Sequence, residues 1–155
     1  MIRLLAASLL LIGVSAPRTV YADGAWASFD RGSSCEAMSR AQRIVTDRSQ
    51  QAHAGFAFDR AGARHGQYAA RLSKPLRPGA TVLLTVGGQP FLLAANAEFA
   101  WSRGPAQDLA IISAARTAPG MRIEARSTTG RFFDSYLLDG APGAIDAAAA
   151  CAARR

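Results

Sequence analysis

From residue 25 onward, apolar and polar side chains alternate in short stretches bounded by glycine, proline or aspartate. That period of two is the pattern of half-buried β-strands. The clearest pair is residues 81–86 (TVLLTV) and 90–94 (PFLLA), which flank Gly87 and Gly88. Both glycines tolerate positive φ, so the stretch predicts a β-hairpin. Further strands are expected at residues 25–30, 53–59, 67–73, 97–101 and 121–127. In the last of these, Met121, Ile123 and Ala125 alternate with Arg122, Glu124 and Arg126, which predicts one wet face. A final strand is expected around Tyr136, Leu137 and Leu138, with Asp134 and Asp139 beside it in capping and turn roles.

Two segments change period. Pro105 follows Gly104 and suits a first helical turn, and Leu109, Ile111, Ile112 and Ala115 then fall on one stripe before Pro119 and Gly120. Residues 142–153 are alanine-rich, with Asp146 early and Arg154 and Arg155 late, as the helix dipole favours. The apolar stripe of this second helix carries Ile145, Ala148, Ala149 and Cys151. The chain therefore reads as mainly β (α+β): a small antiparallel β-sandwich or barrel-like domain with one internal helix and a C-terminal helix.

The first residues follow a different rule. Arg3 precedes an apolar run at 4–14, and small residues follow, which is the layout of a secretory signal. Val20 and Ala22 occupy the −3 and −1 positions of an A-x-A-like site, so cleavage is expected between Ala22 and Asp23, with Ala16 a weaker alternative. An eleven-residue run is too short to span a bilayer, which needs roughly twenty residues. The expected organisation is a signal peptide at 1–22 and a single domain at 23–155, with no transmembrane segment after signal removal and a periplasmic or secreted location.

Export changes how the cysteines read. The chain has two, Cys35 and Cys151, near the two ends of the mature domain. In an oxidising compartment an even count points first to a disulfide, here clipping the terminal helix to the N-terminal part of the domain. Their separation lacks the CxxC spacing of a zinc or thioredoxin-like site. The formal charge of +7 would fall to +5 when Arg3 and Arg18 leave with the leader. Nearly all of the excess is arginine, scattered along the chain without a nucleic-acid motif, so a solvated surface is expected and no nucleic-acid partner.

No catalytic signature emerges. His53 and His65 are the only histidines, and neither lies in an HExxH motif or near a GxSxG elbow. The carboxylates are dispersed, and the Gly87-Gly88 pair lacks the frame of a phosphate loop. No catalytic, cofactor-binding or metal-binding residue is assigned. Among the large aromatics, Trp26, Trp101, Phe132, Phe133 and Tyr136, core filling is the first expectation. Trp26, Trp101, Phe132 and Tyr136 are candidate partner-binding residues should they be exposed together.

Several features together resemble the invasion-associated locus B family of proteobacterial periplasmic proteins. They are the leader, Trp26 followed by Cys35, the segment LRPGATVLLTV at 76–86, Pro90-Phe91, and the ending DSYLLDGAPGAIDAAAAC. Family members often carry further cysteines in mid-domain, where this chain has AANAEFAWSR instead. The resemblance implies a compact, mainly β periplasmic protein linked by name to host-cell invasion, with no active site to carry over. The leading expectation is a non-enzymatic exported protein acting through protein or cell-envelope contacts. Two rivals stand beside it: a small exported hydrolase using His53 or His65 as base, and an arginine-mediated binder of anionic envelope polymers.

Overall fold

A computed structural model describes residues 16–45 and 51–154. The apolar run at 4–14 lies outside them. Ten strands and two helices follow in the order β1 (Arg18–Asp23), β2 (Trp26–Asp30), β3 (Ser34–Arg40), β4 (His53–Asp59), β5 (His65–Arg71), β6 (Val82–Val86), β7 (Gln89–Asn96), β8 (Phe99–Trp101), α1 (Pro105–Ala115), β9 (Gly120–Ser127), β10 (Gly130–Leu137) and α2 (Ala141–Ala153). All strands join one antiparallel sheet, ordered β1-β2-β3-β4-β5-β8-β7-β6-β9-β10. The mainly β, α+β expectation holds, built as one continuous sheet.

Strand β7 links the two halves of that sheet. Its first part, through Leu93, pairs with β6, and Ala94 to Asn96 pair with β8. Gly87 and Gly88 make the predicted two-residue turn, with φ of 55° and 92°, and Val86 faces Gln89 across it. The two ends of the sheet approach one another. Ala25 donates its amide to the Asp139 carbonyl, the Trp26 indole donates to the Leu137 carbonyl, and Gln42 donates its amide to the Ser135 carbonyl. This near-closure satisfies backbone groups that an open edge would leave unpaired.

Both helices lie on the core face. Helix α2 covers β1 to β4, burying Ala144, Ile145 and Ala148, while the Ser28 hydroxyl donates to the Ala144 carbonyl. The strand positions beneath it are small: Ser28, Cys35, Ala37 and Ser39 are all buried. An alanine-rich helix on small strand residues permits close approach, which the Cys35–Cys151 disulfide fixes at a Cα separation of 6.0 Å. Helix α1 packs near β5, with Ile111 and Ala115 buried and the Asp108 carboxylate accepting the Tyr68 amide at 2.9 Å. Larger side chains, including Trp26, Phe56, Tyr68, Leu84, Ile123 and Tyr136, fill the space between.

Four local expectations are revised. The stripe predicted for α1 is rotated: Leu109 stands 66% exposed and Asp108 is buried in its place. Burial of Asp108 follows from the Tyr68 amide it accepts, which no hydropathy pattern reports. Asp134 is not a capping residue. It sits inside β10, 1% exposed, with Oδ2 accepting the Ser73 amide at 2.9 Å. Strand β3 was not expected, because its buried positions are serine, cysteine and alanine. His65, expected in a loop, opens β5.

Candidate functional site, a trough on the outer sheet face

On the face turned away from the helices, the strand registers build a grid. Ala27, Met38, Gly55, Ala69, Trp101 and Ala94 stand opposite one another across β2, β3, β4, β5, β8 and β7. Beside this row runs a second one, Arg40, His53, Arg71, Phe99 and Asn96. On its other side lie Phe29, Glu36, Ala57 and Gln67.

The middle of this grid is unusual for an outward-facing surface. Solvent-facing strand positions ordinarily carry long polar side chains. Here Gly55 and Ala57, both buried, and the exposed Ala69 are too small to stand above the sheet, while Met38, Trp101, Phe99 and the charged rows surround them. The result is a hollow of about 470 Å³, within the range of small-molecule sites. Met38, His53 and Arg71 also line a second hollow of about 920 Å³, bounded further out by Phe29, Arg40 and Gln51. The two adjoin at those three residues, and together they make the trough. Gly55 also has a packing reason, since a Cβ there would collide with the Ala37 carbonyl of β3. Nothing comparable crowds Ala69, which is exposed on the floor.

Charge is distributed unevenly along the walls. Arg71 is paired with Glu98 at 3.1 Å, and Glu36 with Arg31. Arg64, at the end of the first hollow, holds Asp59 with a guanidinium contact of 2.6 Å and its own amide at 3.1 Å. Those hydrogen bonds keep the Asp59 carboxyl below the usual carboxylate range and raise the Arg64 guanidinium in turn. Arg40 makes no ion pair with any described residue and is exposed. His53 stands beside it, one ring nitrogen 3.4 Å from the Gln51 carbonyl. The wall formed by Arg40, His53 and Arg71 is thus the cationic side of the trough.

The candidate partner-binding aromatics separate. Trp26, Phe132 and Tyr136 are 2%, 5% and 1% exposed and belong to the core, where their apolar area drives folding. Trp101 alone of the four turns outward, into the trough wall. Phe99, its strand neighbour, is 49% exposed and was not singled out from sequence. Alternation along FAW, with Ala100 buried between two aromatics, is the signal that could have found it. On the far half of the outer face Phe133 is exposed under the Arg122 guanidinium, 4.8 Å from its ring centre.

The two histidines do not converge. His53 faces Arg71 and His65 faces Phe58, at opposite ends of the β4–β5 hairpin, about 16 Å apart at ~3.3 Å per residue. Among the described residues neither is hydrogen-bonded to a hydroxyl or carboxylate. The geometry of a base-activated nucleophile, with an orienting third group, is not assembled around either ring.

Cys35 and Cys151 form the expected disulfide. The Asp30 carboxylate lies close to both sulfurs, yet these atoms are bonded to one another and the carboxylate is held by Arg60 and Arg18. Ala22 and Asp23, the expected cleavage residues, are the last two of β1 and face Ala27 and Trp26, so a cut between them detaches Arg18 to Ala22 from the sheet edge. No helix of the described residues is long and apolar enough to cross a membrane. No family model matches the chain, and neither the curated proteins nor the solved structures give a match.

Proposed function

We propose that this chain is a non-enzymatic exported domain of the invasion-associated locus B type, which works by holding a cell-envelope component in the outer trough. The observation that carries the reading is the small-residue floor of Gly55, Ala57 and Ala69 between Trp101, Phe99 and a cationic wall. A surface with a small-residue floor, aromatic walls and, in Arg40, a cation unpaired among the described residues is built for contact, and exposed aromatic area on small domains marks interaction sites. The disulfide supports residence in an oxidising compartment. Separation of the histidines weighs against the hydrolase reading.

Co-sedimentation with isolated bacterial cell envelopes tests this. Wild-type protein is expected to pellet with them, the Phe133→Ala variant equally, and the Trp101→Ala variant at no more than about a tenth of the wild-type level, the size of one aromatic contact. Failure of the wild type to pellet, or equal pelleting of Trp101→Ala, overturns the reading.

A further inference from the structure

We infer that the trough takes an acidic polysaccharide, a chain of sugar rings bearing carboxylates, laid across the strands. This rests on the trough being the contact surface and names what it contacts. Three features point to that chemistry. First, the hollows adjoin at Met38, His53 and Arg71 and are open at the surface, so they suit an extended polymer more than an enclosed metabolite. From Arg40 to Phe99 the row crosses three interstrand spacings, about 14 Å at ~4.8 Å each, room for more than one sugar ring.

Second, the two aromatics stand together at one end, with Trp101 beside the exposed Ala69 and Phe99 beside Arg71 on the neighbouring strand. Flat apolar side chains beside polar hydrogen-bonding groups match a sugar, whose ring faces are apolar and whose edges are hydroxyls. Gln67 and Glu36, the latter paired with Arg31, supply hydrogen-bonding groups on the opposite wall, where Arg64 is paired with Asp59. A polymer without flat apolar ring faces would gain nothing from the aromatics. Third, the cationic wall retains an unpaired charge. Arg71 is shared with Glu98, but Arg40 is free among the described residues, and His53 stands between them in register. A carboxylate seated between Arg40 and Arg71 gains charge-assisted hydrogen bonds that a neutral sugar cannot make.

Titration calorimetry with a short oligogalacturonate as probe tests the inference, with a maltose-series oligosaccharide of equal length and polyglutamate as comparisons. Wild-type protein is expected to bind oligogalacturonate at least tenfold more tightly than either comparison. Arg40→Ala and Trp101→Ala should each weaken binding by tenfold or more, Ala69→Trp should abolish it by filling the floor, and Phe133→Ala should change nothing. Thermal melts of each variant separate a lost site from a lost fold. Polyglutamate binding as tightly as oligogalacturonate, no oligogalacturonate binding, or unchanged affinity in Trp101→Ala would overturn it. Because envelope pelleting is measured separately, a protein that pellets through Trp101 yet ignores oligogalacturonate refutes the glycan and leaves the contact surface standing. A protein that does neither refutes both.

Discussion

One guanidinium, that of Arg60, ties three parts of the chain together. Its Nε donates to the Gly32 carbonyl at 2.7 Å, one terminal nitrogen donates to the Cys151 and Arg154 carbonyls at 2.7 and 2.6 Å, and the other meets Asp30 at 3.0 Å. The carbonyls of Cys151 and Arg154 lie at the end of α2; the first also accepts the Arg154 amide at 3.3 Å, so Arg60 adds a second donor there and supplies one to the Arg154 carbonyl beyond the last turn. Arg60→Ala is expected to lower stability by about 2 kcal/mol, read from the urea midpoint. Arg60→Lys should recover less than half of that, since an ammonium lacks the planar fork that reaches several acceptors at once. Asp30 adds a pH dependence. Its carboxyl is held below the usual range by the Gly32 amide first and the Arg60 guanidinium second. A folded-state pKa below the unfolded one means the stabilisation is full above about pH 4 and is lost as pH falls through the folded value. The fall in urea midpoint between about pH 5 and pH 2 should therefore be shallower in Asp30→Asn. Arg60 illustrates what sequence leaves hidden, since its partners lie at sequence separations of 28, 91 and 94.

At the scale of elements, what could be read from sequence was whatever an element declares by its own pattern. The β6–β7 hairpin declares itself by two apolar runs around Gly87-Gly88, and β9 by the strict alternation of Met121 to Arg126. Strand β3 declares nothing, because what it buries is smallness: Cys35, Ala37 and Ser39 lie under α2, where a larger residue would push the helix away. The trough is illegible for the related reason that its floor consists of residues too small to be noticed. Gly55, Ala57 and Ala69 acquire meaning only when the registers set them side by side. The joint between β10 and α2 shows the same dependence on distant chain. Gly140 caps α2 with φ of 85°, and a Cβ there would collide with the Asp23 carbonyl. Gly79 also has positive φ, at 74°, with open space around it. Gly79→Ala should cost only the left-handed backbone penalty of about 1–2 kcal/mol. Gly140→Ala should cost clearly more, because the same penalty is joined by a collision with backbone, and the melting temperatures of the two variants check this.

For the molecule as a whole, the disulfide ties the last element of the chain to the first half of the sheet. Helix α2 follows every strand in the chain, yet it covers β1 to β4 from the first part of it, and the β2 end meets the β10 end through the Trp26–Leu137 and Ala25–Asp139 hydrogen bonds. Cys35–Cys151 joins residues separated by 116 positions, a loop that the chain-entropy account values at about 4–5 kcal/mol, with measured bridges typically nearer 2–4. Replacing both cysteines by serine should lower the unfolding free energy, read from the denaturant midpoint and slope, by about 2–4 kcal/mol. The trough gives the same variant a second readout. Its floor and aromatic wall stand on β4, β5 and β8, whose pairing runs through main-chain ladders independent of either sulfur. Well below its melting temperature, the double serine variant should therefore keep wild-type envelope pelleting while unfolding earlier. Loss of pelleting in a variant that is still folded means the bridge shapes the outer face as well as the core, and that the two sides of the sheet are mechanically coupled through β3.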